Sequence, residues 1–267
     1  MESTPRVRLE IAPPLARLTL NRPEVRNAFD DALIGELHDS LEKVRAAHEG
    51  SPEKAPRALV LTGEGQAFCA GADMNWMRRS IAYSREENEA DASRMAGMLR
   101  ALDELPIPTI ARVNGACLGG GMGLLACCDI GVASDRAQFG FTEARLGIAP
   151  AVISAFVLPK IGASAARRYF LTAELFGAAE AMEMGLVHEV VPAAELDPAV
   201  DRFVSALAGN GPRAVSAAKQ LIREALTRTR NDTIENAVRA IADLRASPEG
   251  QEGLGAFLEK RSPSWKR

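Results

Sequence analysis

The stretch Asn114 to Asp129, NGACLGGGMGLLACCD, constrains this chain more than any other. Three consecutive glycines open what otherwise reads as a buried apolar helix, and each costs backbone entropy that an alanine would save. The run TIARV precedes them, so the chain passes from a strand into a glycine-rich helix start. Such a start leaves backbone N–H groups free and lets another group approach them closely. A phosphate cradle is one use, but GxxxxGK[ST] is absent and LGGGMG lacks the strict spacing of a dinucleotide fingerprint. The other is an oxyanion hole, in which amides at the helix start meet an oxygen that develops negative charge.

A second segment has the same form. GEGQAFCAGADMNWM, Gly63 to Met77, leaves an apolar strand, runs through small residues and meets a helix start at Asp73. Two such loops make a pair of donors, although each alone reads equally well as a tight strand-to-helix turn. The third piece is AQFGFTEARLGIAP, where Glu143 follows an apolar strand (Gln138 to Phe141) and precedes Leu146, Gly147, Ile148 and Ala149. A carboxylate in surroundings that poor in water has a raised pKa and suits proton transfer near neutrality. Arg145 and Arg136 offer the alternative of a simple ion pair.

Periodicity supplies the architecture. VRLEI and ARLTL alternate around Pro13–Pro14 as a hairpin, and ALVLTG and TIARVNG read as buried strands. Helical patterns at Asp30 to Ala47 and Ser84 to Leu105 lie between them, so strand and helix alternate in an α/β order. After about Ala163 the alanine-rich segments AARRYFLTAELF, PRAVSAAKQLIREAL and NDTIENAVRAIADLRA predict a helical appendage, with Pro212 at one helix start and Asn231 or Asp232 as a cap. Ser51 to Arg57 reads as a solvated loop.

At 267 residues one layered domain with an appendage is the expected division, and a formal charge of −3 gives no footprint for a nucleic-acid backbone. Cys69, Cys117, Cys127 and Cys128 sit in apolar stretches without metal or redox spacing, so buried free thiols, a cytoplasmic location and no metal are expected. The N-terminal MESTPRVRLEIAPP has no apolar signal core and no Arg-rich transit pattern, and no apolar run predicts a membrane span.

Taken together, NRPEVRNAF, AFCAGAD, the LGGG run, CDI, FGFTEARLGIAP and the terminal FLEKR resemble the crotonase (enoyl-CoA hydratase/isomerase) superfamily in order and spacing. The resemblance implies an α/β spiral of ββα units over residues 1–195. It also implies a C-terminal helical oligomerisation region over 196–267, a homotrimer or dimer of trimers, and an acyl-CoA thioester as substrate. Coenzyme A enters only as part of that substrate, and no further cofactor, nucleic acid or membrane partner is implied. Residue by residue, the amides of Ala72 and Gly120 would hold the thioester oxygen, and Glu143 would carry the proton. Val25, Arg26, Ala28, Ala70, Asp73, Met74 and Lys260 would contact CoA, and Gly123, Thr142 and Ala151 would line the acyl pocket.

Family hydratases carry two glutamates, and the first falls at Gly123 here. A glycine there would make room for a C3 methyl group. Ala151 stands where many members have a glycine, and AVISAF replaces the usual glycine-rich continuation. One carboxylate fits a Δ3,Δ2-enoyl-CoA isomerase, a hydratase of the methylglutaconyl-CoA branch, or a chain that binds CoA esters without turnover. The details of AFCAGADMNWM, GLLACCDI and FTEARLGIAPAVIS are most similar to the methylglutaconyl-CoA branch.

Overall fold

Strict alternation of apolar residues builds the first edge of the molecule. In the computed structural model, which describes residues 4–50 and 55–266, β1 (Val7–Ala12) and β2 (Leu15–Leu20) form an antiparallel hairpin with Val7 opposite Leu20. Helix α1 (Asp31–Glu49) begins at Asp30, whose carboxylate accepts from Leu33 N at 2.8 Å, and it buries Leu33, Leu37, Leu41 and Val44 along one stripe.

A strand–strand–helix unit then recurs. The elements are β3 (Ala58–Gly63), β4 (Ala67–Cys69), α2 (Met74–Ser80) and α3 (Arg85–Asp103); β5 (Thr109–Val113), β6 (Ala116–Leu118) and α4 (Gly120–Cys127); β7 (Ile130–Ser134), β8 (Gln138–Gly140), a 3-10 turn at Glu143–Leu146 and α5 (Ala151–Thr172). In each unit the first strand joins one sheet and the second joins another. With β9 (Phe176–Gly177), α6 (Ala178–Glu183) and β10 (Glu189–Val191), the sheet orders are β1-β2-β3-β5-β7-β10 and β4-β6-β8-β9. The chain is therefore an α/β spiral, and β4, β6 and β8 run parallel side by side. Pairing of β4 with β6 shifts register: Ala67 faces Ala116 but Cys69 faces Cys117, which leaves Phe68 as one extra residue in a bulge.

Phe68, Cys69, Cys117, Met122, Leu125, Phe139 and Phe141 are buried in the main core. The four cysteines are free and buried, and burial pushes the Cys69 and Cys128 thiols up to about 12. A smaller cluster joins Val60, Ile110 and Val132 of the first sheet to Leu196, Ala199 and Val200 of α7 (Leu196–Ala208). Helices α8 (Pro212–Thr227), α9 (Arg230–Ala246) and α10 (Pro248–Leu258) follow. Buried Lys219 anchors α8 to the spiral, with Nζ 2.8 Å from Asp129 Oδ2 and donating to Ile107 O at 3.1 Å.

Two local expectations need correction. The cap of α9 is Thr229 rather than Asn231 or Asp232, because the Thr229 hydroxyl accepts the Asp232 amide at 3.3 Å and donates to the Asp232 carboxylate at 2.7 Å. In the Ser51 to Arg57 loop, residues 51–54 lie outside the described residues, and Arg57 is no free surface charge. Its guanidinium donates to Ala208 O at 3.0 Å and Trp265 O at 2.9 Å, joining the start of β3 to the C-terminal region. Among the described residues no helix is long and apolar enough to cross a membrane.

Candidate active site

The three glycines have three different reasons. Gly119, with φ of 49°, makes the turn out of β6, a conformation L side chains rarely adopt. A Cβ on Gly120 would lie 2.9 Å from both Phe29 Cδ2 and Met95 Cε, and one on Gly121 would lie 2.6 Å from Cys69 O. Glycine at 120 is therefore required by the packing of its own chain, whereas the sequence alone suggested only the approach of a ligand. These contacts press α4 onto the loop that follows β4.

That loop is held just as closely. Phe29 N donates to Gly71 O and Asp73 N donates to Phe29 O, both at 2.7 Å, so Ala72 is bracketed in a short parallel bridge with Phe29. A Cβ on Gly71 would lie 3.2 Å from Leu118 O and 3.8 Å from Gly119 Cα. The residues before Ala72 and before Gly120 are thus in contact, and among the described residues neither the Ala72 nor the Gly120 amide donates to a backbone or side-chain acceptor.

Glu143 closes the third side. A Cβ on Gly119 would lie 3.6 Å from Glu143 Oε1, which places the carboxyl against the helix start. Burial pushes its pKa above the ordinary value of 4.5, against the pull of its own backbone N–H. Oε2 is buried without a hydrogen-bond partner. Neither arginine pairs with it: Arg145 donates to Ala173 O instead, and Arg136 makes no ion pair with it among the described residues. The expected source of dryness is corrected too, since Leu146 and Ile148 are each 61% exposed. The carboxyl is desolvated by its burial and lies against the Gly119 turn, while Leu146 and Ile148 stay largely in solvent.

The N-terminal NRPEVRNAF segment meets the same loop. Arg26 and Asn27 both adopt positive φ, at 53° and 57°. Asn27 is fully buried and satisfied: Nδ2 donates to Glu64 O at 3.0 Å and Ala67 O at 2.8 Å, and Oδ1 accepts from Arg22 N at 2.9 Å. The Arg26 carbonyl accepts from Ala70 N at 3.0 Å. Arg22 completes the junction, donating to Ala28 O at 2.7 Å and to Asp73 Oδ2 at 2.9 Å. Arg22 and Asn27 escaped the sequence reading, although an asparagine beside a turn is a known sign of left-handed backbone.

Asp73 caps α2, accepting from Asn75 N at 2.7 Å and Trp76 N at 3.3 Å. Burial pushes its carboxyl up, yet these amides and the Arg22 guanidinium together hold it below its ordinary value. Half-buried Val25, exposed Arg26, buried Ala28, half-buried Ala70 and exposed Met74 therefore gather around one junction. Lys260 does not join them: it is exposed after α10, with its amide on Phe257 O at 3.2 Å.

Of the expected pocket residues, Thr142 is half-buried just before the 3-10 turn and Ala151 is exposed at the start of α5. Gly123 opens no room. A Cβ there would meet Ile153 Cγ2 at 2.5 Å and Leu99 Cδ1 at 3.2 Å, so the side chain of Ile153, in AVISAF, occupies the space. Two unpaired amides beside one desolvated carboxyl can stabilise an oxyanion and move a proton.

Known proteins resemble this chain over nearly its whole length. A crotonyl-CoA hydratase of Syntrophomonas wolfei is 32% identical, covering 96% of each chain. A mevalonyl-coenzyme A hydratase of Aspergillus fumigatus is 34% identical, covering 95% of this chain and 92% of its own. The crystal structure of an enoyl-CoA hydratase from Shewanella pealeana superposes with a TM-score of 0.90 at 39% identity, covering 97% of this chain and 96% of its own. The family model described as enoyl-CoA hydratase/isomerase matches residues 10–267, and the chain belongs to that family.

Proposed function

We propose that the protein is an acyl-CoA hydro-lyase that interconverts 3-methylglutaconyl-CoA and 3-hydroxy-3-methylglutaryl-CoA. Relatives named hydratases over nearly the whole chain make it an enzyme of the hydratase/lyase class. Glu143 carries the reading, as a desolvated carboxyl with one unpaired oxygen beside the Gly71 and Gly119 loops. The choice of acyl group rests on the resemblance of AFCAGADMNWM and FTEARLGIAPAVIS to the methylglutaconyl-CoA branch.

In the dehydration direction the Glu143 carboxylate removes a proton from C2. The thioester enolate oxygen accepts from the Ala72 and Gly120 amides. The protonated Glu143 then gives its proton to the C3 hydroxyl, the C3–O bond breaks, and water leaves. Each amide contributes about 2.7–4 kcal/mol if it behaves like oxyanion donors measured elsewhere. Thr142 and Ala151 border the acyl group, and Gly123 acts from behind Ile153. Val25, Arg26, Ala28, Ala70, Asp73 and Met74 build the CoA junction, and coenzyme A enters as part of the substrate.

In the same reading residues 1–195 carry the site and 196–267 the oligomer contacts of a homotrimer or dimer of trimers. Ile222 at 65% and Phe257 at 81% exposure supply apolar surface for that assembly. Lys260 reaches a CoA phosphate across a subunit boundary. Four free buried thiols suit a reducing cytoplasm.

A single carboxylate also fits proton transfer between C2 and C4, so Δ3,Δ2-enoyl-CoA isomerisation is the second reading. Purified protein is given 3-hydroxy-3-methylglutaryl-CoA, 3-methylglutaconyl-CoA and a 3-enoyl-CoA in parallel, and conjugated-enoyl absorbance is followed. Turnover of the first two supports the hydro-lyase. Turnover of the third alone supports the isomerase, and binding without turnover of any leaves a CoA-ester-binding subunit.

A further inference from the structure

Phe29 belongs to neither of the two loops that carry the free amides, yet it touches both, and it is buried at 1% exposure. Its backbone meets the first loop. Phe29 N donates to Gly71 O and Phe29 O accepts from Asp73 N, both at 2.7 Å, in a parallel bridge opposite Ala72. In such a bridge one residue commits both of its backbone polar groups to the neighbours of its partner, so Ala72 turns its own N–H and C=O to the other side. The free Ala72 amide is thus a product of the bridge. The ring of Phe29 meets the second loop: a Cβ on Gly120 would lie 2.9 Å from Phe29 Cδ2 and 3.0 Å from Phe29 Cε2, which puts the ring against the Gly120 backbone.

One guanidinium clamps this bridge from both strands. Arg22 Nη1 donates to Ala28 O at 2.7 Å and lies 3.1 Å from Asp30 Oδ2, so it holds the residues before and after Phe29. Arg22 Nη2 donates to Asp73 Oδ2 at 2.9 Å, which holds the residue after Ala72. The side chains of Arg22, Asp30 and Asp73 are 13%, 11% and 6% exposed, so the fork is shielded from water, where charge-assisted bonds are strong and directional. Both carboxylates also cap helices: Asp30 accepts from Leu33 N at the start of α1, and Asp73 accepts from Asn75 N at the start of α2. Arg22 therefore ties the starts of two helices to the segment that brackets Ala72.

We infer that Phe29, clamped by Arg22, is a positioning residue that sets the separation of the Ala72 and Gly120 amides and through it the stabilisation of the thioester oxyanion. This rests on the acyl-CoA reading of the site and deepens it, because it names what holds the two donors in register. The span from the Phe29 backbone to its ring is covalent, and a close-packed interior passes a displacement on instead of absorbing it. Trimming the ring lets the start of α4 shift relative to Ala72 while the backbone bridge stays. Donors aimed at a developing charge matter most in the transition state, so the loss falls on turnover more than on ester binding.

The test reads the bound carbonyl directly. The ester 4-(dimethylamino)cinnamoyl-CoA, whose long-wavelength absorption moves to the red as its thioester carbonyl is polarised, is bound at saturation to the intact protein, to Phe29→Leu and to Arg22→Lys. A bound-state spectrum is indifferent to affinity, so loss of stability or of CoA contacts does not move it. Phe29→Leu is expected to lose at least about half of the red shift and to lower kcat about 10- to 100-fold on whichever acyl-CoA is turned over, with Kd for butyryl-CoA changed by less than about threefold. Arg22→Lys keeps the charge but loses the fork, and is expected to lose a smaller part of both. An undiminished red shift in Phe29→Leu, or kcat and butyryl-CoA affinity falling by equal factors, overturns the inference and leaves Phe29 as packing. If Phe29→Leu does not fold, Arg22→Lys decides, and an undiminished shift there overturns the inference equally. Intact protein that binds no ester refutes the acyl-CoA reading itself, and intact protein that binds the ester without a red shift refutes the oxyanion hole together with this inference. An intact protein that polarises the ester, beside variants that polarise it as well, refutes this inference alone.

Discussion

Replacing Glu143 by glutamine separates what the site needs for chemistry from what the fold would prefer. The change keeps the side-chain volume and removes the charge that burial disfavours. As a proton carrier lost from both steps, Glu143→Gln lowers kcat on 3-hydroxy-3-methylglutaryl-CoA by about 10²- to 10⁴-fold. Stability moves the other way. Glu143 has its folded pKa raised above 4.5 by desolvation, with Oε2 buried and unpaired. A raised carboxyl pKa favours the folded state below the unfolded value, and that advantage is lost as pH rises through the folded value. At pH 8 the wild type therefore bears the cost of a buried, underpaired charge, about 1–3 kcal/mol. Glu143→Gln relieves part of it and raises Tm by about 2–4 °C for each kcal/mol relieved. Below about pH 4 both side chains are neutral and the difference shrinks towards zero. Thermal unfolding at fixed protein concentration across pH, beside single-substrate kinetics, reads both effects, and wild-type kcat/KM should fall on the acid side with an inflection above 4.5. Near-native turnover would remove Glu143 from the mechanism, and a Tm difference that does not vary with pH would refute the desolvation argument.

Three further outcomes follow from packing. Gly123→Ala forces a Cβ to 2.5 Å from Ile153 Cγ2 and costs about 1–3 kcal/mol; adding Ile153→Ala should recover part of that loss in a double-mutant cycle by chemical denaturation, and strict additivity would show that the two do not touch. Gly120→Ala drives a Cβ to 2.9 Å from Phe29 and Met95, lowering both Tm and kcat, whereas unchanged Tm would contradict the packing role of this glycine. Lys219→Met removes the charged donor to Asp129 and Ile107 O and should cost about 1–3 kcal/mol, with hydrogen exchange rising first in α8; protection lost evenly over the chain would argue against a local anchor.

Much of the spiral was legible because local rules and tertiary demand coincide. Leu18 and Leu20 alternate because β2 has one buried face, and Asp73 and Pro212 mark helix starts by their own chemistry. The three loops of the site were legible as short motifs. What escaped depends on residues distant in sequence. The Glu143 carboxyl is buried against the Gly119 turn although Leu146 and Ile148 are exposed, and the space beside Gly123 is filled from α5. No local pattern marks Arg22, yet it binds Ala28 six positions on and Asp73 51 positions on. Thr229 displaced two neighbouring candidates as a cap, because the hydroxyl that reaches the free amide decides the helix start.

The bulge at Phe68 carries a consequence for how relatives of this chain are aligned and redesigned. Strand residues alternate sides with a period of two, so a single added residue inverts the sense in which everything beyond it is presented. Between Ala67 and Cys69 that inversion occurs once, in the strand that leads to Ala72, while its neighbour β6 runs on to Gly120. The strands that lead to Ala72 and Gly120 are therefore out of phase by that one residue. A one-residue deletion in Ala67–Cys69 would read in an alignment as a trivial shortening of an edge strand. In three dimensions it removes the offset between the strands that lead to Ala72 and Gly120, and a designer grafting this loop onto another scaffold has to transplant the irregular strand along with it.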